Sequence, residues 1–155
     1  YSPGMIDVNS IIEDNIVNIK FKAGQKGINI VFDNQEKHFA FADEDMVRLV
    51  LRNLLSNAVK YTPREGAISI VLKNGKAEIE VSITNPGTGI SKENIEKILS
   101  ETDFYSTPGT GNEKGSGLGL KLCRSFIALN HGMFFINSTP GKETTFSFTL
   151  PVSGK

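Results

Sequence analysis

The segment NLLSNAVKYT, residues 53–62, constrains the fold of this chain more than any other stretch. The apolar residues within and just before it recur at helical spacing and are Leu49, Val50, Leu51, Leu54, Leu55, Ala58 and Val59. On a helix, Asn53, Asn57 and Lys60 lie along one face, because positions i, i+4 and i+7 nearly align. The segment therefore predicts an amphipathic helix with a polar stripe of carboxamides and an ammonium group.

This asparagine stripe, made of Asn53, Asn57 and Lys60, combines two kinds of ligand chemistry. Amide oxygens suit a hard cation such as Mg²⁺, whereas an ammonium suits an anion, and a magnesium–phosphate ligand requires both. Asparagine is a mediocre helix former, so a pair on one helix face needs some reason other than helix propensity. Taken alone, the stripe also fits an ordinary polar helix face in water.

The composition indicates a single domain and excludes several classes of protein. With 155 residues, of which 39% are hydrophobic, the chain is long enough to bury a core. Lysine plus arginine and aspartate plus glutamate both total 17, so no overall basic field invites nucleic acid or an acidic membrane. The apolar runs are too short to cross a bilayer, and no signal peptide is recognisable. The chain opens without methionine, so we expect it to be part of a longer protein.

The single cysteine and the two histidines offer no zinc framework. Cys123 lies in a helical pattern and is predicted to be a core thiol, which fits a reducing compartment. His131 precedes Gly132 at a predicted helix end, where a cation near the helix dipole explains it. His38 lies on a predicted strand, and neither histidine is expected to be catalytic.

Hydrophobic periodicity and turn residues predict helices that alternate with hairpins. Helices are predicted over residues 7–27, 43–61, 91–99 and 117–130, and strands over 28–32, 38–42, 67–73, 78–84, 133–137 and 144–150. Asp43 and Ser91 are predicted N-caps, and Asn74-Gly75 is predicted to join the strands on either side of it. The first helix is expected to bury Ile11, Ile12, Ile16, Ile19 and Phe21.

The order of these elements predicts an α/β fold with one domain over residues 1–155. We expect a two-layer α/β sandwich, in which a mixed sheet of about five or more strands is covered on one face by three main helices. Residues 100–114 show no periodicity and contain TPGTGN, so they are predicted to form a loop before the last helix.

Two glycine-containing segments could bring the backbone close to a ligand. The first, NPGTGI at residues 85–90, directly follows a strand, and an ordinary turn is the plainer explanation for it. The second, GSGLGL at residues 115–120, opens a helix, where free N–H groups form a ready anion site. Each glycine inside a helix costs roughly 1 kcal/mol relative to alanine, so something is expected to pack against this backbone. Neither segment fits the phosphate loop with Gly-Lys-Ser/Thr or the dinucleotide fingerprint.

Together and in this order, the three motifs resemble those of the ATP-binding catalytic domain of bacterial sensor histidine kinases, within the GHKL superfamily. Residues 53–62 resemble the asparagine box of that family, residues 85–90 its first glycine box and residues 115–120 its second. The segments NHG at residues 130–132 and TTF at residues 144–146 are similar to the usual C-terminal part of that domain. Each box is weak alone, but their order and spacing over nearly the whole chain are specific.

The resemblance implies a role in binding ATP and Mg²⁺ for the asparagine box. Asn57 would bind Mg²⁺, with Asn53 beside it at the metal and the phosphates. Lys60 would reach the phosphate chain, and Tyr61 would lie along the adenine ring. Thr144, or less favourably Thr145, would help to read the adenine edge.

The resemblance also implies that both glycine boxes contact the nucleotide. The first box begins at Asn85 and ends at Ile90, and its Gly87 and Gly89 would let the backbone pass close to the base. The second box would hold the triphosphate with the backbone of Gly115, Ser116, Gly117, Leu118, Gly119 and Leu120. Residues 100–116 would form the ATP lid.

This chain departs from the usual pattern of the family in several places. Asn85 stands where the family usually has Asp, which accepts a hydrogen bond from the adenine amino group. Asparagine accepts through its carbonyl oxygen alone, and a charged acceptor gives a hydrogen bond roughly twice as strong, so we expect weaker ATP binding. Leu99 stands near a position where the family commonly has Phe. Met133 and Glu143 stand at positions where the family frequently has Gly. Neither histidine is followed by the phosphoacceptor helix of the family.

The resemblance therefore implies the catalytic domain of a two-component sensor histidine kinase. Such a domain transfers the γ-phosphoryl group of Mg·ATP to a histidine on a separate dimerisation domain, and a response regulator then receives it. Because the phosphoacceptor domain is absent, this fragment is expected to carry no catalytic residue of its own and to be inactive alone. We expect a monomeric cytoplasmic domain of a homodimeric parent that binds no nucleic acid; whether a membrane anchors the parent is left open.

Three alternatives share some or all of these motifs. A GHKL ATPase carries Glu at the position of Asn53 to activate water, a role that Asn cannot fill. A serine kinase of the anti-sigma-factor type has similar boxes and differs in what it phosphorylates. A degenerate module would result if Asn85 had abolished nucleotide binding, and titration with Mg·ATP distinguishes this case.

Overall fold

The computed structural model describes residues 1–99 and 118–154, which form helices on one side of a β-sheet. The helices are α1 (Val8–Gln25), α2 (Glu44–Tyr61), α3 (Lys92–Leu99) and α4 (Leu118–Leu129). The strands are β1 (Pro3–Asp7), β2 (Asn29–Phe32), β3 (Phe39–Asp43), β4 (Ala67–Asn74), β5 (Glu78–Pro86), β6 (Phe134–Thr139) and β7 (Glu143–Pro151). None of the helices in these ranges has the length and apolar character that a membrane crossing requires.

Within the described residues, the main sheet has five strands in the order β2-β4-β5-β7-β6. Its β2–β4 pair is parallel and its other pairs are antiparallel, which confirms the expected mixed sheet. A separate antiparallel ribbon joins β1 to β3, with Met5 opposite Phe41. The prediction missed β1, because its five residues carry no alternation of their own and become a strand by pairing with a distant segment.

The core lies between the sheet and the helices α1, α2 and α4. Along β5, Ile79, Val81, Ile83 and Asn85 are buried, and the residues between them face the opposite side of the sheet. The helix α2 packs between α1 and α4 and over β5, and it buries both leucines of the Leu54-Leu55 pair. This arrangement confirms the predicted two-layer α/β sandwich.

The helices begin at the capping residues that the sequence predicts. The Asp43 carboxylate accepts the N–H of Met46 at 3.1 Å, and the Ser91 hydroxyl accepts the N–H of Asn94 at 3.2 Å. Hydrogen bonds from the backbone N–H groups of Ser2 and Met46 hold the pKa of the Asp43 carboxyl below its usual value. This cap places the first residue of α2, and therefore the register of the asparagine stripe.

The helix α4 ends in a Schellman motif whose left-handed residue is His131, with a φ of 63°, where glycine is commoner. The His131 N–H donates to the Ala128 carbonyl at 3.0 Å, and the Gly132 N–H donates to the Ile127 carbonyl at 2.9 Å. His131 is exposed and lies at the helix end that the sequence predicts for it, and its non-catalytic role stays a prediction.

Asn130 joins the end of α4 to the start of α2. Its side chain is buried, accepts the backbone N–H of Asp43 at 2.7 Å and donates to the Phe126 carbonyl at 2.7 Å. The cap of one helix and the last turn of another are therefore held by a single carboxamide.

Two further details of the predicted elements are wrong. The β4–β5 hairpin closes with the Gly75 N–H donating to the Glu78 carbonyl at 2.8 Å, so its turn lies at residues 76–77 and not at Asn74-Gly75. Phe21, expected on the buried face of α1, is 76% exposed, whereas Ile11 and Ile12 are buried as predicted. Phe21 follows the helical period imperfectly, and α1 contacts its neighbours along a narrower face than the sequence indicates.

Candidate nucleotide site

The asparagine stripe lies on α2, as the sequence predicts. Asn53 and Asn57 are half-buried, and Lys60 is 8% exposed. The Lys60 Nζ atom lies 5.2 Å from the centroid of the Tyr61 ring, within cation–π range. The end of α2 therefore brings an ammonium group, an aromatic ring and carboxamides to one region.

Thr62 and Lys26 hold the C-terminal end of α2. The Thr62 hydroxyl donates to the Ala58 carbonyl at 2.5 Å. The Lys26 Nζ donates to the carbonyls of Val59 at 2.9 Å and Lys60 at 3.1 Å, which satisfies helix carbonyls that lack an intrahelical partner. Neither role was predicted, because Lys26 belongs to a turn that is distant in sequence.

Asn53 faces the first turn of α4. A Cβ atom added to Gly119 would lie 3.7 Å from the Asn53 Cγ atom, so the second glycine box passes directly beside the stripe. One turn further, the fully buried Cys123 lies beside the Asn53 side chain, and its Sγ donates to the Val50 carbonyl at 3.7 Å. Two motifs far apart in sequence thus meet at Asn53.

Cys123 is the core thiol that the sequence predicts. Burial raises the pKa of its thiol to about 12, although the hydrogen bond with Asn53 acts in the opposite direction. The thiol therefore stays protonated at neutral pH, and Cys123 has no nucleophilic role here.

The first glycine box contacts the end of α2 at Gly87. Its φ is 148°, and a Cβ atom added there would lie 2.7 Å from the Tyr61 carbonyl oxygen. The Gly87 N–H donates to the Lys142 carbonyl at 3.1 Å. Glycine is needed at this position because the chain itself comes too close for a side chain.

Gly89 meets the turn between β6 and β7. Its φ is 74°, and an added Cβ would lie 2.7 Å from the Thr139 carbonyl oxygen and 2.9 Å from the Ser138 Oγ atom. The conformation and the crowding both favour glycine. Contacts within the protein therefore account for both glycines of this box, and the closeness of their backbone to a base stays a prediction.

Asn85 and Thr144 lie side by side, directly opposite each other on β5 and β7. Each is 4% exposed, and both face the helix side of the sheet. The Asn85 Nδ2 donates to the Pro86 carbonyl at 3.0 Å, so this amide nitrogen is turned towards its own backbone. Thr145 faces the other side, where its hydroxyl pairs with that of Thr84 at 2.7 Å. Of the two candidate threonines, Thr144 is therefore the one beside Asn85.

Ser138 lies on β6 next to Thr144, so that Asn85, Thr144 and Ser138 follow one another across three neighbouring strands. The sequence did not point to Ser138. It lies opposite Thr144 on β6, with its Oγ 2.9 Å from the Thr144 Oγ1. The same Oγ accepts the Ile90 N–H at 2.7 Å and donates to the Glu143 carbonyl at 3.0 Å. Ser138 therefore links the last residue of the first glycine box to the strand that carries Thr144.

Part of the predicted site lies outside the described residues. This part comprises Gly115, Ser116, Gly117 and the proposed lid at residues 100–116. Leu118 begins α4, and Leu120 is buried in the core at 9% exposure. The Ile90 side chain is partly buried against the same core.

His38 contributes to structure away from this site. It is 5% exposed, its N–H donates to the Asn9 Oδ1 at 2.8 Å, and its Nδ1 lies 3.2 Å from the same oxygen. The Asn9 Nδ2 in turn donates to the Asn34 Oδ1 and the Glu36 carbonyl. This network fixes the connection between β2 and β3, and the non-catalytic role of His38 stays a prediction.

The described side chains fit Mg·ATP in their chemistry. Within residues 1–99 and 118–154, no group of three or more His, Cys, Asp or Glu side chains could hold a metal. The carboxamides of Asn53 and Asn57 offer neutral oxygen ligands, which suit a Mg²⁺ that shares its coordination sphere with phosphates and water. Gly119 carries no side chain where a Cβ atom would be in van der Waals contact with the Asn53 amide.

Comparisons with known protein families agree with this geometry. A family model described as "Histidine kinase-, DNA gyrase B-, and HSP90-like ATPase" matches residues 42–154. The chain is 35% identical over 149 residues to the non-motile and phage-resistance protein of Caulobacter vibrioides, covering 94% of this chain and 18% of that protein. It is 38% identical over 130 residues to the adaptive-response sensory kinase SasA of Crocosphaera subtropica, covering 83% of this chain and 34% of SasA. The chain thus spans well under half the length of either relative.

The fold is also similar to that of a solved histidine kinase domain. The nucleotide-free catalytic domain of the histidine kinase ThkA superposes with a TM-score of 0.83 at 27% identity, covering 99% of this chain and 100% of that domain. ThkA solved in complex with the response regulator TrrA gives a TM-score of 0.80 at 27% identity, covering 97% of this chain and 42% of ThkA.

Proposed function

Because the chain belongs to the histidine kinase-, DNA gyrase B- and HSP90-like ATPase family, we propose that it is the Mg·ATP-binding catalytic domain of a two-component sensor kinase. In the full protein, it would transfer the γ-phosphoryl group of ATP to a histidine of a separate dimerisation domain. A response regulator would then accept the group, in keeping with the solved complex of ThkA and TrrA. The domain would work in the cytoplasm as part of a homodimeric parent.

The observation that carries this proposal is the meeting of three separate motifs around α2. The second glycine box reaches Asn53 through Gly119, and the first reaches the Tyr61 carbonyl through Gly87. Lys60 lies between these two contacts in the sequence of α2. A phosphate chain near Asn53 and Lys60, with a base towards Tyr61 and Asn85, would use all three motifs at once.

Each part of the site has a proposed role in phosphoryl transfer. Asn57, with Asn53 beside it, would hold Mg²⁺, which supplies charge neutralisation at the phosphates. The Lys60 ammonium would bind phosphate oxygens, and the backbone of residues 115–120 would donate N–H groups to the triphosphate. Tyr61, Ile90 and the backbone of the first glycine box would place the base.

The reaction requires positioning more than covalent chemistry from this chain. The bond between the γ-phosphorus and the β–γ bridging oxygen would break as an imidazole nitrogen of the acceptor histidine bonds to phosphorus, and ADP would leave. The lone pair comes from the acceptor histidine, so any general base is expected beside that residue on the dimerisation domain. The amides, the ammonium and the hydroxyls of the described part of the site suit this positioning role.

Calorimetric titration with Mg·ATP and Mg·ADP tests the proposal directly. We expect a dissociation constant in the micromolar-to-millimolar range, which corresponds to about −8 to −4 kcal/mol. Omission of Mg²⁺ should weaken binding. If no nucleotide binds at millimolar concentration, the chain is the degenerate module considered above and the proposed function is wrong.

Restoring a carboxylate with Asn85→Asp is expected to tighten ATP binding by about 1 kcal/mol, the margin of a charge-assisted over a neutral hydrogen bond. The structure adds a second expected effect. In the nucleotide-free protein the new carboxylate would face the Pro86 carbonyl, to which the Asn85 amide now donates at 3.0 Å. The variant should therefore melt at a lower temperature without ATP and gain more from ATP than the wild type does.

Competition between nucleotides checks the adenine-reading role assigned to Asn85. The oxygen O6 of GTP is an acceptor, so GTP should compete poorly with ATP in both proteins. If GTP displaces ATP as well as ADP does, Asn85 does not read the amino group of adenine.

Phosphotransfer is expected to need a second chain. The isolated domain should not label itself with the γ-phosphate of ATP, because His38 is buried in a structural network and His131 ends a helix. Mixed with the dimerisation domain of its own parent protein, it should label that domain. The label should be acid-labile, as phosphohistidine is. An acid-stable label would indicate a serine kinase, and acid-labile label on His38 or His131 of the domain alone would contradict the proposal.

A further inference from the structure

The hydroxyl of Ser138 has one proton and lies within hydrogen-bond distance of three partners. The Ser138 Oγ donates to the Glu143 carbonyl at 3.0 Å and accepts the Ile90 N–H at 2.7 Å. A hydroxyl has a single donor and two acceptor positions. We assign the Ser138 proton to the Glu143 carbonyl, which can only accept, so the contact between the Ser138 Oγ and the Thr144 Oγ1 at 2.9 Å uses the proton of Thr144.

The direction of this hydrogen bond determines whether the Thr144 hydroxyl can donate to or accept from a further partner. With its proton committed to Ser138, the Thr144 Oγ1 has only lone pairs left for another partner. Thr144 is 4% exposed, so this hydroxyl has little water with which to exchange its bond. Asn85 stands next to it on β5, with its Nδ2 engaged by the Pro86 carbonyl at 3.0 Å.

We propose that Ser138 is a specificity-determining residue, which orients the Thr144 hydroxyl as an acceptor so that the site selects a purine with an amino group at position 6. This inference rests on the proposed function and concerns the base that is bound, not the chemistry of transfer. Ser138 acts through Thr144 and Ile90 and is therefore a positioning residue.

The experiment compares three triphosphates that differ at position 6 of the purine. ATP carries an amino group there, inosine triphosphate an oxygen, and purine riboside triphosphate a hydrogen. In the wild type, affinity should fall from ATP to purine riboside triphosphate to inosine triphosphate. Mg²⁺ is kept saturating, and each dissociation constant is measured by calorimetry.

Ser138→Ala is expected to reduce the difference in affinity between ATP and inosine triphosphate. Without Ser138 the Thr144 proton can turn towards the base, which disfavours an amino group and favours an oxygen. The ratio of ATP to inosine triphosphate affinity should fall by about threefold to tenfold, the range of a single neutral hydrogen bond. Binding of purine riboside triphosphate should change by less than about twofold, because it presents neither donor nor acceptor at position 6.

Ser138→Thr retains the hydroxyl and should keep the selectivity of the wild type. The matched control is Ser82→Ala, which removes one hydroxyl from the Ser82–Ser147 pair, 3.0 Å apart on the opposite face of the same sheet. Ser82→Ala should leave all three affinities unchanged. If Ser138→Ala does not fold, Ser138→Cys replaces it, and the weak hydrogen bonding of a thiol should narrow the ratio in the same direction.

The outcomes separate this inference from the proposed function. Equal weakening of all three ligands in Ser138→Ala, or an unchanged ratio in a folded Ser138 variant, would overturn the role of Ser138 while leaving ATP binding intact. A wild type that binds none of the triphosphates would overturn both. A lower ratio of ATP to inosine triphosphate affinity in Ser138→Ala, with unchanged affinity for purine riboside triphosphate, supports the role of Ser138.

Discussion

Asn57→Ala is expected to remove most of the magnesium dependence of nucleotide binding. Asn57 lies one helical turn beyond Asn53 on α2, half-buried, and its carbonyl oxygen is the proposed ligand of Mg²⁺. Residues that merely support a metal ligand already change metal affinity by about 10–100-fold, so loss of the ligand itself should cost at least about tenfold in Mg·ATP affinity. Titrations with ATP, at saturating Mg²⁺ and with chelator, measure both effects.

The matched control for this substitution is Asn18→Ala. Asn18 is an exposed residue of α1, so the same chemical change occurs on a helix surface without a proposed ligand. Its titration should match that of the wild type in both conditions. If Asn57→Ala binds ATP like the wild type and still needs Mg²⁺, the metal is held elsewhere and the assignment of Asn57 is wrong.

Gly132→Ala is expected to have the largest effect on stability. Gly132 follows the left-handed His131 at the end of α4, and an added Cβ would collide with the Thr149 carbonyl oxygen of β7 and lie 3.0 Å from the Ile127 Cγ2. A backbone carbonyl within a sheet cannot rotate away as a side chain can. We expect a loss at or above the upper end of the about 1–3 kcal/mol typical of overpacking, measured by urea unfolding.

Gly24→Ala is expected to raise the free energy of unfolding in the same assay, whereas Gly132→Ala lowers it. Gly24 lies in α1, and an added Cβ would meet nothing within 4 Å. Alanine should therefore raise the free energy of unfolding by up to about 1 kcal/mol, the difference in helix propensity. Wild-type stability in Gly132→Ala would show that β7 can move away from α4, and that this contact is not the reason for glycine.

Local signals in the sequence predicted the elements that depend on local interactions. The cap at Asp43 and the apolar spacing of α2 are determined within a few residues of each other, and both are confirmed. The strand β1 and the exposure of Phe21 depend instead on which segments meet in the fold, so periodicity alone misjudged them. The position of the β4–β5 turn shifted because strand pairing, and not the Asn-Gly signal, set the register.

The site was predictable in its residues more than in its contacts. Asn53 and Gly119 were assigned to one ligand from separate motifs, and the structure places them against each other. Ser138 could not be found in this way, because its importance arises from partners on other strands and on the first glycine box. Gly89 was assigned to the base, whereas its crowding against the β6–β7 turn becomes visible in three dimensions alone.

The Asn130 carboxamide has a consequence for the entropy of ligand capture. It bonds Asp43, the N-cap residue of α2, to the last turn of α4, and the Cys123 Sγ joins the same two helices again at the Val50 carbonyl. Two attachments along one helix pair restrict both sliding and rotation, so the carboxamide of Asn53 and the backbone of Gly119 are aligned before any ligand arrives. The loss of conformational freedom that this alignment requires occurs during folding, and association with a nucleotide does not have to repeat it.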